Sequence, residues 1–107
     1  MQSTIKKTFS LSGVTLHSGK QSTVTVHPAP ANTGIRFKRI DLIVPNHQKI
    51  IQSCVENITS GQLCTILTNS YGHSISTIEH LMSAFHGMGI DNALVDINNN
   101  EIPILDG

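Results

Sequence analysis

The chain reads as an α+β domain, mostly antiparallel sheet with one clear helix, and three observations predict it. Gln21-Ser22-Thr23-Val24-Thr25-Val26-His27 alternates polar and apolar residues with period two, the pattern of a half-buried strand. Ile78, Leu81, Met82 and Phe85 recur at i, i+3, i+4 and i+7, which puts them on one stripe of an α-helix facing a core. Leu63-Cys64-Thr65-Ile66-Leu67 is apolar and β-rich, and it runs into Asn69-Ser70-Tyr71-Gly72, which has hairpin-turn chemistry. At 107 residues the expectation is one domain, 1–107, large enough for a modest core but too short for a large enclosed active site.

In chain order, Ser3 to Leu11 contains a β-compatible segment, and Gly13 to Gly19 supplies the turn residues that separate it from the strand at Gln21–His27. Pro28 to Gly34 forces a break, because its prolines cannot donate to a ladder, and Ile35 to Arg39 follows as a third strand. Pro45-Asn46-His47 marks a turn within Asp41 to Ile51, and Val55 or Ile58 falls in a further short strand. His73 to Ser76 leads back from the hairpin towards the helix. There Ser76 and Glu79 form an S-x-x-E pattern, a capping box that would fix the helix start. Gly87 and Gly89 are helix stops, Ala93 to Ile97 is a strand, and Asn98-Asn99-Asn100 turns the chain before Ile102-Pro103-Ile104-Leu105. No internal repeat or low-complexity linker interrupts the pattern.

Composition excludes some functions. Seven basic and seven acidic residues give a formal net charge of zero, and the basic ones are scattered. Lys6-Lys7 and Lys38-Arg39 are short pairs suited to solvated strand edges, so neither nucleic acid nor an anionic membrane is an expected partner. Cys54 and Cys64 lack the spacing of a redox pair or a zinc knuckle and are expected as free thiols. No charged n-region with an apolar run opens the chain and no stretch reaches membrane-spanning length, so an integral membrane segment is not expected and the cytosol is the expected compartment. In that compartment the acceptor pattern Asn57-Ile58-Thr59 is fortuitous.

The chemistry concentrates at Glu79-His80. A carboxylate and a metal-capable imidazole sit side by side at the start of the helix, and the polar side of that helix carries Glu79, Ser83 and His86 with no Lys or Arg. Two readings are open: an acid and a ligand in a functional site, or a capping glutamate beside a surface histidine. One helical histidine cannot hold a catalytic zinc, which needs about three protein ligands. His80 and His86 lie six apart, off a common face, and His17, His27, His47 and His73 could join only through folding. Gly13 to Lys20 has the outline of a phosphate loop, but five residues separate its glycines and Gln21 stands where Ser or Thr is required. It is expected as a turn between strands. No Ser-His-Asp order or G-x-S-x-G elbow is present.

Five blocks in order then resemble one family. They are Gly13-Val14-Thr15-Leu16-His17-Ser18-Gly19-Lys20, Pro28-Ala29-Pro30-Ala31-Asn32-Thr33-Gly34-Ile35-Arg36-Phe37, Ser76-Thr77-Ile78-Glu79-His80-Leu81, Gly89-Ile90-Asp91-Asn92 and Glu101-Ile102-Pro103-Ile104-Leu105-Asp106-Gly107. From end to end the chain resembles the N-terminal half of the UDP-3-O-acyl-N-acetylglucosamine deacetylases, the zinc amidases of lipid A biosynthesis. That resemblance implies two similar α+β domains packed helix layer to helix layer, with the zinc site at their junction and this chain as the first domain. It implies His80 as one Zn2+ ligand, Glu79 as the general base that takes a proton from the attacking water, and Leu63 and Cys64 as pocket-lining residues that contact substrate. It also implies that the second domain carries the other zinc ligands, a histidine and an aspartate, together with an assisting histidine and much of the acyl passage. The zinc site in this chain is therefore expected to be incomplete and the domain inactive by itself. The face meant for the second domain would expose an apolar patch, with self-association as one consequence. The competing expectation is a stand-alone binding or assembly module in which Glu79 only caps.

Overall fold

The structure, a computed structural model, describes residues 2–60 and 64–104. Its elements in order are β1 (Phe9–Val14), β2 (Gln21–Pro28), β3 (Ile35–Arg39), the one-turn helix α1 (Asn46–Lys49), β4 (Ile50–Gln52), a 3-10 turn at Val55–Asn57, β5 (Ile58–Ser60), β6 (Thr65–Thr68), β7 (Ser74–Ser76), α2 (Glu79–Gly87) and β8 (Ala93–Ile97). They form a five-stranded sheet in the order β1-β2-β8-β3-β4 and a three-stranded sheet in the order β5-β6-β7. Every pairing is antiparallel except β3 with β8, so the expected mostly antiparallel α+β class holds. A parallel pair cannot be closed by a hairpin. The chain between β3 and β8 makes that crossover, and it carries the small sheet and α2.

Alternation decides which residues go inside. Val24 and Val26 of β2, Ile35 and Phe37 of β3, Ile51 of β4, and Ala93, Val95 and Ile97 of β8 are all buried on one face of the large sheet. Leu67 and Ile75 of the small sheet, Ile78, Leu81 and Phe85 from α2 and its approach, and Ile102 complete the same core. Each of the larger side chains, Val, Leu, Ile or Phe, contributes about 1.5–3 kcal/mol when removed from water. The helical stripe read from the sequence is thus the packing face, with Met82 lying partly buried against it. The opposite sheet face is polar: the Ser10 and Thr25 hydroxyls lie 2.9 Å apart, those of Ser12 and Thr23 2.8 Å, and His27 Nε2 is 2.8 Å from Asp96 Oδ2.

Three sequence expectations need correction. The first strand is Phe9–Val14, because Ser3 and Thr4 are tied instead to the segment before β8: the Ser3 carbonyl accepts from the Asp91 and Asn92 N–H groups, and the Thr4 hydroxyl donates to the Asn92 carbonyl at 2.6 Å. Pro45-Asn46-His47 does not simply turn the chain. It enters α1, where Pro45 precedes the helix and its carbonyl receives the Gln48 N–H. The strand expected at Leu63–Leu67 is β6, Thr65–Thr68, and Leu63 lies outside the described residues. The β6–β7 hairpin forms as expected: Asn69 Oδ1 accepts from the Tyr71 and His73 N–H groups, and Gly72 takes φ +85°. Asn69 Nδ2 also donates to the Gln48 and Ile50 carbonyls, which ties the small sheet to the edge of the large one. Among the described residues no helix is long and apolar enough to cross a membrane.

Candidate active site

The approach to α2 is built from an unusual turn. β7 ends at Ser76, and Thr77 takes φ +63°, a left-handed conformation that costs a β-branched residue about 1–2 kcal/mol. Ile78 is the N-cap residue and makes no side-chain capping bond, so the expected Ser76–Glu79 capping box does not form. Ser76 is held in extended chain, its N–H and hydroxyl both donating to the Asn100 carbonyl and its own carbonyl receiving the Ile102 N–H. With Ser76 pinned and Thr77 turning the chain, Ser76 cannot reach the helix end.

Glu79 therefore has other work. Its Oε1 accepts the backbone N–H of Thr65 at the start of β6, while Thr65 gives its carbonyl to the Thr77 N–H at 3.0 Å. Strand and helix start are cross-tied through one residue. Among the described residues no protein group donates to Glu79 Oε2, which leaves that oxygen available to a proton. His80, one position on, is exposed, and among the described residues nothing hydrogen-bonds its ring. A carboxylate in the first turn also sits where the helix dipole favours negative charge.

His80 forms part of the wall of an open groove of about 590 Å³. Phe9 and Leu11 of β1 form one wall, Leu81, Ala84 and Phe85 of α2 with Met88 just after it the other, and Ile104 also lines it. Phe9 and Leu11 pair with Val26 and Val24, so they belong to the core face of the sheet, yet they are 37% and 39% exposed, and Met88 is 62% exposed. This is an apolar surface left open between β1 and α2.

The structure brings Glu79 and His80 together with Thr65, and brings no other histidine to them. Among the described residues no group of three His, Cys, Asp or Glu is placed to hold a metal ion. The chemistry of His80, an unengaged imidazole beside an oriented carboxylate, suits a single metal donor, and no further donors group with it among the described residues. Cys64 is a half-buried free thiol one residue before Thr65 and is not on the groove wall.

Sequence reasoning gave no role to Glu101. It is only 3% exposed, and its carboxylate accepts the His17 N–H at 2.8 Å, the Ser18 N–H at 3.2 Å and the Thr77 hydroxyl at 3.3 Å. Burial pushes this carboxyl up, but the two backbone N–H groups, the His17 charge and the Ser18 hydroxyl together hold it below the ordinary carboxylate value. No local signal marked it, because a glutamate is most often solvated and the groups that satisfy this one come from distant turns.

The structure is thus an α+β domain that presents a glutamate and an exposed histidine at a helix start beside an apolar groove. Comparison with known sequences supplies the family. The sequence profile of the UDP-3-O-acyl N-acetylglycosamine deacetylase family matches residues 2–107, and the chain belongs to that family. Proteins called UDP-3-O-acyl-N-acetylglucosamine deacetylase from Pseudoalteromonas atlantica and Wigglesworthia glossinidia brevipalpis are each 47% identical to it over 106 residues, and the one from Colwellia psychrerythraea is 46% identical. These alignments cover 99% of this chain but 34%, 35% and 34% of the relatives, so the chain spans about a third of the length of the proteins it matches.

Proposed function

We propose that this chain is the domain of a zinc-dependent deacetylase that supplies the general base and one metal ligand for removing the acetyl group of UDP-3-O-acyl-N-acetylglucosamine, in the cytoplasm and in lipid A biosynthesis. The relatives' names give the substrate, and the two free thiols suit a reducing compartment. The observation that carries the reading is the carboxylate of Glu79, fixed through one oxygen by the Thr65 N–H and free at the other, beside the exposed imidazole of His80.

In this reading His80 holds zinc together with donors from a second domain, which covers the apolar groove. When bound, zinc supplies Lewis acidity for an attacking water and for the amide oxygen. Glu79 Oε2 accepts the proton of the attacking water, and the Thr65 N–H keeps the carboxylate from rotating away from it. The apolar groove wall excludes water from the side of α2, and by the family resemblance Leu63 and Cys64 contact the substrate. Separated from the second domain, the chain lacks most of the metal donors and is inactive, and its open groove favours pairing with a second copy.

Glu79→Ala in the full-length protein tests this. Turnover should fall by roughly 10²–10⁴-fold, the contribution typical of a positioned base, with zinc content retained. Turnover within a few-fold of the parent would remove the assigned base.

A further inference from the structure

We infer that Glu101 is a positioning residue for the helix start, acting through Thr77 to hold Glu79 and His80 in place. The inference rests on the proposed roles of that pair. Glu101 is the best-buried carboxylate among the described residues, and nothing in the proposed chemistry uses it directly. Its hydrogen bonds join two segments that the sequence places far apart. The His17 and Ser18 N–H groups belong to the turn between β1 and β2, and the Thr77 hydroxyl belongs to the turn that opens α2.

Thr77 is where leverage exists. A left-handed β-branched residue persists only when its surroundings over-determine it, and Thr77 is gripped from two sides. Its N–H donates to the Thr65 carbonyl at 3.0 Å, and its hydroxyl donates to Glu101. Around it the Ser76 N–H donates to the Asn100 carbonyl at 2.9 Å and the Ile102 N–H to the Ser76 carbonyl at 3.1 Å, so residues 100–102 run alongside residues 76–77 as a clamp. Glu101 is itself fixed from behind by the Ser22 hydroxyl on its carbonyl at 2.9 Å. If Thr77 relaxed towards an ordinary conformation, α2 would leave the strand in a different direction, and Glu79 would move off the Thr65 N–H. A neutral amide at position 101 would replace one acceptor by a donor facing a donor N–H, which the clamp cannot satisfy.

The test uses the full-length protein with zinc. Chelator competition gives the zinc Kd, steady-state kinetics give kcat and KM, and the Thr65 amide resonance reports the Glu79 contact whether or not Glu79 is the base. Glu101→Gln should lower kcat by on the order of 10-fold with KM within about twofold, raise the zinc Kd by on the order of 10-fold and shift the Thr65 amide. Thr77→Ala should reproduce part of this, Thr77→Ser should restore it by keeping the hydroxyl, and the double variant Glu101→Gln/Thr77→Ala should be no worse than Glu101→Gln alone. If Glu101→Gln does not fold, the contrast between Thr77→Ala and Thr77→Ser carries the test. A lowered Tm with kcat, zinc Kd and the Thr65 amide unchanged would overturn the inference, as would additive effects in the double variant or equal behaviour of the two Thr77 variants. Failure of the functional reading looks different: Glu79→Ala would keep its turnover while the Thr65 amide still responded to Glu101→Gln.

Discussion

The two ends of α2 each present a histidine, and the two are supported in different ways. At the start, His80 follows a glutamate tied to β6, on a turn clamped by residues 100–102, beside an apolar groove. At the other end, His86 is exposed on a helix that closes by a Schellman motif: Gly89 takes φ +70°, its N–H donates to the His86 carbonyl at 3.1 Å, and the Ile90 N–H donates to the Phe85 carbonyl at 2.9 Å. The His86 end uses glycine and backbone to stop a helix, whereas the His80 end spends a strained threonine and a buried carboxylate to aim one. Residue type alone does not separate the two histidines. Their supports do.

The largest effect should come from breaking the contrast at its functional end. Glu79→Ala in the full-length protein should cost turnover by the orders of magnitude given above, while His86→Ala should leave kcat/KM within about twofold, since an exposed group away from special features is close to neutral. A comparable loss from His86→Ala would show that the two ends are not different in kind. Next in size is the shared foundation of both ends. Phe85 is buried at 1% exposure, and Phe85→Ala should destabilise by about 3–5 kcal/mol in denaturant titration. A loss under 1 kcal/mol would mean that the helix does not rest on this core.

Smaller effects separate the two terminations. Gly89→Ala forces a Cβ into a left-handed position and should cost about 1–2 kcal/mol of stability with zinc affinity unchanged, because it strains only the end of the helix remote from Glu79 and His80. A fall in zinc affinity would contradict that separation. The smallest concerns pH. The Glu101 carboxyl is held below its ordinary value in the folded state, so its contribution to stability is present above the unfolded value of ~4.3 and is lost as the pH falls through the lower folded value. Thermal melts of Glu101→Gln should therefore depend less on pH than the parent below about pH 4. Equal slopes in that range would show that the carboxylate is not specially stabilised.

Much of the fold was legible because burial imposes a period. The alternation in Gln21–His27, the stripe Ile78-Leu81-Met82-Phe85 and the turn residues at Asn69–Gly72 all found their expected places. The misreadings came where long-range hydrogen bonds override local preference. Ser76 and Glu79 have the spacing of a capping box, but Ser76 is claimed by Asn100 and Ile102, twenty-odd residues further along, and Glu79 by Thr65. Within the β-compatible stretch Ser3–Leu11 the strand begins only at Phe9, since Ser3 and Thr4 pair with Asp91 and Asn92. For the site, Glu79 and His80 could be singled out as neighbouring residue types on one helix turn. The role of Glu101 could not, because its partners His17, Ser18 and Thr77 come from two distant turns that only the folded chain brings to one carboxylate.

The most direct measurement is the zinc content of the full-length protein carrying His80→Ala, taken after dialysis against buffer with trace metal. With that imidazole as a ligand, stoichiometry should drop well below one zinc per chain while the fold, read by circular dichroism, stays intact. Full zinc occupancy with parental affinity would contradict the account at its centre.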